Sequence, residues 1–179
     1  MSGNLRLRFG VHKAAQLRGP VRYRLKRTAY TAVVVRTDQN IYLVRHGEAM
    51  REGDDAARPL NARGHEEVER LAAYLAGIGV AVAEIRHSGK ARARQTAEIL
   101  AGVLHAPLAQ AQGMQPDDDP APMAASLSQE TRDLLLVGHL PHLAVLATLL
   151  LRGSAHPPVH LRTAGLVHLQ RDGDRWRLV

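Results

Sequence analysis

Over most of the chain, hydrophobic and polar positions follow two different periods, which indicates alternating strands and helices. Short runs rich in apolar and β-branched side chains predict strands at residues 41–45 (IYLVR), 80–87 and 133–137 (DLLLV). The third run is almost continuously apolar, which is typical of a strand that is buried on both faces of a parallel sheet.

Between these strands, apolar residues recur every three or four positions, which is the spacing of one helix face. This pattern predicts four helices, at residues 62–76, 91–104, 123–128 and 143–151. Pro141 stands where the fourth helix is expected to begin, a position that tolerates proline. The apolar side of the second helix is expected to consist of Ile99, Leu100, Val103 and Leu104.

The order of these elements predicts the fold class. Alternating strands and helices favour an α/β fold, here a three-layer sandwich with a mainly parallel central sheet. A loop rich in Pro and Asp at residues 115–122 separates the second and third helices. Residues 164–169 and 174–179 flank the turn sequence Asp172-Gly173 and predict a C-terminal hairpin.

The first forty residues differ from the rest in charge. They hold nine of the 24 Lys and Arg residues and one of the 17 Asp and Glu residues, so their net charge is +8 against −1 for the remainder. We therefore expect residues 1–38 to form a flexible, basic N-terminal extension and residues 39–179 to form the domain. An alternative is that residues 30–36 (YTAVVVR) form one extra edge strand. The positive charge thus says nothing about the partners of the domain.

Composition narrows the function further. The absence of Cys excludes disulfides, thiolate catalysis and sulfur-ligated metals. No run approaches the roughly 20 apolar residues of a membrane span, and the N-terminus lacks the pattern of a secretory signal. The sequence therefore predicts a cytoplasmic protein without a membrane partner. Aromatic residues make up 3% of the chain, too few for the stacking surfaces of single-stranded nucleic-acid binders.

Three short segments follow the predicted strands and carry the candidate chemistry. They are residues 45–47 (RHG), 88–92 (SGKAR) and 138–141 (GHLP). Because ligand sites in open α/β sheets lie beyond the C-terminal ends of strands, we expect these segments to meet at one edge of the sheet. Two Arg and two His side chains there, together with a helix N-terminus, suit an anion such as phosphate. The residues concerned are Arg45, His46, Arg92 and His139.

Four motifs in this order resemble those of the histidine phosphatase superfamily, and within it the small SixA-type phosphohistidine phosphatases. They are LVRHGEA (43–49), RPLNARG (58–64), SGKARARQTAEIL (88–100) and LLVGHLP (135–141). The resemblance covers residues 41 to about 151. It implies a phosphoglycerate mutase-like fold. Since the segment between Arg92 and His139 is short, we expect no large helical insert.

The resemblance also implies roles for individual residues. His46 would be the nucleophile and would be transiently phosphorylated, and Arg45, Arg92 and His139 would complete the phosphate pocket. Gly47 and Arg58 would contact the substrate as well. Water would then hydrolyse the phosphohistidine intermediate, with no metal or cofactor required. The expected partner is a protein phosphorylated on histidine, such as a histidine phosphotransfer domain, or else a small phosphorylated substrate.

Two features depart from the family pattern. Gly89 stands where the family usually has Pro, which predicts a more flexible loop. The general acid has no assigned position, and the candidates are Glu48 and one residue of the run Asp117, Asp118 and Asp119. An imidazole that leaves phosphohistidine needs a positioned acid less than an alkoxide does, so the missing acid favours phosphohistidine as substrate.

Two other functions stay open at this point. One is a small-molecule phosphomonoesterase of the same superfamily. The other, from a different class, is a basic-tailed protein that only binds phosphate or nucleic acid. The His46 and His139 pair argues against a merely binding pocket, and a mutase would need more structure covering its pocket than this chain offers.

Overall fold

A computed structural model describes residues 38–151 and 159–179. Apart from Asp38, the predicted extension of residues 1–38 lies outside these residues, and so does the alternative edge strand at 30–36. The elements, in chain order, are β1 (Gln39–Arg45), α1 (Ala62–Gly77), β2 (Glu84–His87), α2 (Ala91–Leu104), β3 (Leu108–Gln110), α3 (Ala121–Gln129), β4 (Leu134–Gly138), α4 (His142–Leu150), β5 (Leu166–Asp172) and β6 (Arg175–Leu178).

The strands form one six-stranded sheet in the order β3-β2-β4-β1-β5-β6. The first four strands in this order are mutually parallel, whereas β5 runs antiparallel to β1 and forms the predicted hairpin with β6. In the register between β1 and β4, Arg45 lies opposite Gly138. The segments that follow these two strands therefore leave the same edge of the sheet side by side. The prediction of a mainly parallel α/β sheet is confirmed.

Two apolar clusters lie on opposite faces of the sheet, as the period-two pattern of β1 requires. Ile41 and Leu43 belong to the cluster covered by α3 and α4, whereas Tyr42 and Val44 belong to the cluster covered by α1 and α2. All five residues of β4 are buried, as predicted from their continuous apolar run. The predicted three-layer architecture is confirmed. Only the short β3 and α3 lie between α2 and β4 in the chain, so this segment holds no large helical insert.

Some element boundaries differ from the prediction. β2 begins at Glu84 rather than at residue 80, because the backbone N–H of Val80 is bonded to the carbonyl of Leu75 and completes the end of α1. The edge strand β3 was not predicted. Two of its three residues, Leu108 and Gln110, are exposed, so it carries no apolar signature.

The buried face of α2 also differs from the prediction. Its buried residues are Arg92, Ala93, Thr96, Ala97 and Leu100. Of the predicted side, Leu100 is buried, Ile99 and Leu104 are partly buried against the same cluster, and Val103 is exposed. Small side chains allow α2 to approach the sheet and α1 closely, and a simple count of large apolar residues overlooks them.

Two glycines allow α1 to pack directly against the segment that follows β1. A Cβ atom on Gly64 would overlap the carbonyl oxygen of Glu48, and one on Gly47 would lie 2.8 Å from the carbonyl oxygen of Gly64. The side chain of Asn61 caps α1 by accepting the N–H of Gly64 at 2.8 Å. Close packing of backbone on backbone thus fixes the position of the residues around His46.

Within the described ranges, no helix has the length and apolar character needed to cross a membrane.

Candidate active site

The backbone around His46 is held from two sides at the C-terminal edge of the sheet. Its N–H donates to the carbonyl of Gly138 at 3.1 Å, and its own carbonyl accepts the N–H of Ala164 at 3.2 Å. The preceding residue, Arg45, donates its N–H to Gly165 at 3.0 Å. The end of β4 and the segment before β5 therefore clamp the residue between them.

The imidazole of His46 has one nitrogen engaged in a backbone hydrogen bond and the other facing a cation. Nδ1 lies 2.7 Å from the carbonyl oxygen of Gly47, and because a carbonyl only accepts, Nδ1 carries the proton. Nε2 is therefore the acceptor nitrogen, and it receives the Nε–H of Arg92 at 3.3 Å. Burial, opposed by the Gly47 bond and assisted by the charges of Arg92 and Arg45, lowers the pKa of His46 to about 4. The ring is thus neutral at pH 7.

Arg92 reaches the site from the first turn of α2 and is almost fully buried. Besides contacting His46, its guanidinium donates to the carbonyl oxygen of Asp55 at 2.6 Å and to the carboxylate of the same residue at 3.2 Å. Thr96 links this helix to the β1 exit, since its hydroxyl accepts the N–H of Gly47 at 3.1 Å and donates to the carbonyl of Arg92 at 2.7 Å.

His139 stands beside His46, with the ring centroids 4.9 Å apart and the planes tilted by 53°. Its Nε2 is hydrogen-bonded to the Ser88 hydroxyl at 2.6 Å, and its Nδ1 has no hydrogen-bond partner among the residues described. Burial, with added repulsion from His46, Arg92 and Lys90, lowers the pKa of His139 to about 3. The sequence left open a cationic or a hydrogen-bonding His139, and this environment favours the neutral, hydrogen-bonding form.

Arg45 completes the group of residues that the sequence places at this edge. One of its Nη atoms donates to the carbonyl of Leu161 at 2.9 Å, and its buried Nε has no hydrogen-bond partner in the described parts of the chain. Its charge contributes to the lowered pKa of His46. The three segments that follow parallel strands therefore meet, as expected from the topology.

The candidate acids lie in other surroundings. The carboxylate of Glu48 accepts a hydrogen bond from Asn61 at 2.7 Å and lies 3.6 Å from Arg63, so it is engaged at the start of α1. Asp118 accepts the backbone N–H of Gln115, Asp119 accepts that of Ala121, and Asp117 is exposed. Within the described residues, none of Glu48, Asp118 and Asp119 forms a hydrogen bond or ion pair with His46.

Three polar residues of the site were not predicted as such. Ser88 and Lys90 belong to the motif at residues 88–92 but are not among the candidate site residues, and neither is Asp55. Asp55 lies in the exposed loop before Arg58 and binds Arg58, Lys90 and Arg92. No periodic pattern marks this loop, so the sequence contains no signal for these contacts beyond a carboxylate that precedes a motif arginine.

Gly89 adopts a backbone conformation that proline cannot adopt. Its φ is +91°, which the ring of proline does not permit, and a Cβ at this position would lie 2.7 Å from Nε2 of Gln110. The loop is bonded on both sides of Gly89. Its own N–H donates to Nδ1 of His87 at 3.1 Å, and the Ser88 carbonyl accepts from Gln115 at 2.7 Å.

The lowered histidine pKa values predict that stability falls at mildly acidic pH. Between pH 6.5 and about 4 the unfolded chain protonates His46 and His139 while the folded chain does not. Their contribution is therefore present above pH 6.5 and is lost as the pH falls towards 4. We expect His139→Asn to weaken the loss of unfolding free energy between pH 7 and pH 5 by about 1 kcal/mol in urea titrations.

The matched control for this measurement is His105→Asn, because His105 is an exposed histidine in a left-handed conformation that Asn also adopts. It should keep the pH dependence of the unmodified chain. Identical pH dependence in all three proteins would contradict the prediction.

Among residues 38–151 and 159–179, no three His, Cys, Asp or Glu side chains are grouped so as to hold a metal ion.

Comparison with known proteins agrees with this geometry. The sequence profile of the histidine phosphatase superfamily (branch 1) matches residues 41–115. An uncharacterised protein of Picosynechococcus sp. is 33% identical over 143 residues, which cover 75% of this chain and 87% of that relative.

Two solved structures share the fold. The structure of the protein histidine phosphatase SixA complexed with tungstate superposes with a TM-score of 0.73 at 24% identity, and the match covers 79% of this chain and 94% of the other. A crystal structure from Agrobacterium tumefaciens, assigned to phosphohistidine phosphatase SixA, gives a TM-score of 0.64 at 26% identity over 79% and 95% of the two chains. The chain belongs to the histidine phosphatase superfamily and is a phosphatase with a SixA-like fold.

Proposed function

We propose that this chain is a metal-independent phosphatase that removes the phosphoryl group from phosphohistidine in a protein, with His46 as its nucleophile. The observation that carries the proposal is the state of the His46 ring. Nδ1 lies 2.7 Å from the carbonyl oxygen of Gly47, which keeps the proton on Nδ1. The acceptor nitrogen Nε2 lies 3.3 Å from Nε of Arg92. A neutral imidazole with its lone pair directed at an anion-binding group is ready to attack a bound phosphoryl group.

The reaction has two steps. Nε2 of His46 forms a bond to phosphorus while the bond between phosphorus and the substrate nitrogen breaks, and the leaving imidazole keeps the proton on its other nitrogen. Arg45, Arg92 and His139 bind the equatorial oxygens, where the positive charge of the two arginines stabilises the transition state. Water then attacks phosphorus, orthophosphate leaves, and the His46 imidazole is regenerated.

The acid–base character of the site supports phosphohistidine rather than a phosphate ester. The carboxylate that binds Arg92 belongs to Asp55, and its hydrogen bonds with Lys90 and Arg58 hold its pKa well below the ordinary range. An ionised carboxylate has no proton for an alkoxide leaving group. Glu48, the acid candidate next to the nucleophile, is bonded to Asn61. A substrate whose leaving group needs no acid fits this site best. A cytoplasmic location belongs to the same proposal.

Turnover of chemically different leaving groups tests the substrate class. The purified full chain is assayed with a histidine phosphotransfer domain phosphorylated on its histidine, with p-nitrophenyl phosphate and with a sugar phosphate. We expect kcat/KM to be at least about 100-fold higher for the phosphoprotein than for the sugar phosphate. p-Nitrophenyl phosphate, whose leaving group also needs little acid assistance, should lie between them. A sugar phosphate that is turned over best would replace this proposal by the phosphomonoesterase alternative.

A further inference from the structure

A cluster of three cations surrounds one carboxylate at the rim of the pocket. Oδ1 of Asp55 binds Arg58 and lies 3.2 Å from Arg92, and Oδ2 binds Lys90. The proposed reaction uses Arg92 but gives no task to Lys90. Three cations share one carboxylate, so the cluster carries more positive charge than Asp55 neutralises.

The carboxylate and its partners differ in burial. Half of the Asp55 side chain is exposed (52%), whereas Lys90 and Arg92 are 16% and 5% exposed. Arg58 is 28% exposed, so all three cations are more buried than Asp55, which lies on their solvent side. An external carboxylate can reach the same position without unfolding the pocket.

The loop that carries Asp55 has few anchors. Residues 51–57 are exposed, and the loop is joined at its base by the bridge between Ala49 and Leu60. On its far side its backbone is held by the hydrogen bond from the N–H of Ala91 to the carbonyl of Ala56 at 2.9 Å and by that from Arg92 to the carbonyl of Asp55 at 2.6 Å. A shallow surface depression of about 360 Å³ lies next to the first of these bonds and is lined by Ala56, Ala57, Gly89, Ala91 and Arg94. This depression gives an incoming chain space beside the cluster.

Arrival of a phosphoryl group weakens the hold on Asp55. The phosphoryl oxygens and the Asp55 carboxylate share Arg92, so two negative charges compete for one guanidinium. Repulsion between the phosphoryl group and the carboxylate favours release of Asp55, whose side chain is half exposed. Lys90 and Arg58 are then left with an unpaired positive charge, which a second anionic group can neutralise.

We propose that Arg58 and Lys90 form an accessory anion site that Asp55 fills in the free enzyme and an acidic side chain of the phosphoprotein substrate fills during binding. This inference rests on the proposed function, because it names the feature by which that substrate is recognised. Arg58 and Lys90 are specificity residues in this account, and Asp55 is an internal competitor. A substrate with Asp or Glu close to its phosphohistidine is preferred over one without.

Paired peptides test the site directly. Two phosphohistidine peptides that differ only in flanking Glu or Gln residues are hydrolysed by the full chain, and their kcat/KM values are compared. We expect about a 10-fold preference for the Glu peptide. Lys90→Gln should reduce this preference to about 2-fold or less, and Asp55→Asn should increase it. The control Arg70→Gln changes an exposed arginine of α1 and should leave the preference unchanged.

A second readout separates this inference from the proposed substrate. An unphosphorylated triglutamate peptide is used to inhibit hydrolysis of p-nitrophenyl phosphate. We expect Asp55→Asn to lower its inhibition constant about 5-fold and Lys90→Gln to raise it by a similar factor. If neither substitution changes the inhibition constant, the accessory site is wrong, whatever the substrate. If both change it but neither phosphohistidine peptide is hydrolysed, only the proposed substrate is wrong.

Discussion

Replacing His46 by Asn is expected to lower kcat by at least about 1,000-fold while the protein stays folded. In the proposed mechanism the ring of His46 supplies the attacking nitrogen, and Asn has no equivalent of Nε2. The fold should tolerate the change, because the clamps on this residue come from its backbone, through Gly138 and Ala164. Steady-state kinetics with p-nitrophenyl phosphate and with phosphoprotein measure the effect, and circular dichroism melting measures the fold.

His105→Asn, an exposed histidine, is the matched control and should keep full activity. A His46→Asn protein with more than about one tenth of the original kcat would show that another group attacks the phosphoryl group.

Replacing Arg92 by Lys is expected to lower kcat by about 100-fold, although the positive charge is kept. The guanidinium donates hydrogen bonds in several directions. Its Nε donates to His46, and its two Nη atoms donate to the carbonyl and the carboxylate of Asp55. A single ammonium group cannot hold the nucleophile and the phosphoryl oxygens in one plane. The single ammonium group also cannot replace both hydrogen bonds of Arg92 to Asp55.

Arg70→Lys, on the exposed face of α1, is the control for the exchange of arginine for lysine and should have no effect. An Arg92→Lys protein within about 3-fold of the original kcat would mean that charge alone suffices there, contrary to the role given to the planar, paired donors.

The general position of the candidate site could be predicted from the sequence, because topology dictates it. Once β1 and β4 are parallel neighbours, the residues after Arg45 and after Gly138 must leave the sheet together. Tight glycine contacts between α1 and the segment after β1 also bring the motifs around Gly47 and Gly64 together. The order of the motifs and the topology of the strands therefore both predict the same site.

The residues that surround this core could not be predicted in the same way. Asp55 meets Lys90 and Arg92 across more than thirty residues of chain, through a loop without periodicity. The neutral state of His139 depends on burial, which has no counterpart in its local sequence. β3 escaped prediction because an exposed edge strand of three residues needs no apolar pattern. On α2, the pattern of large apolar residues overlooked the buried Ala93 and Ala97 and placed Val103 on the buried side, although Val103 is exposed.

The central claim is that the phosphoryl group passes through His46, and rapid quenching tests it most directly. The full chain is mixed with a phosphotransfer domain that carries labelled phosphate on its histidine, and the reaction is stopped within milliseconds. The account predicts a phosphoenzyme that is labile in acid and stable in alkali, with the label on the peptide that contains His46. Label on any other residue, or turnover without a labelled enzyme under conditions that trap acid-labile phosphate, would contradict it.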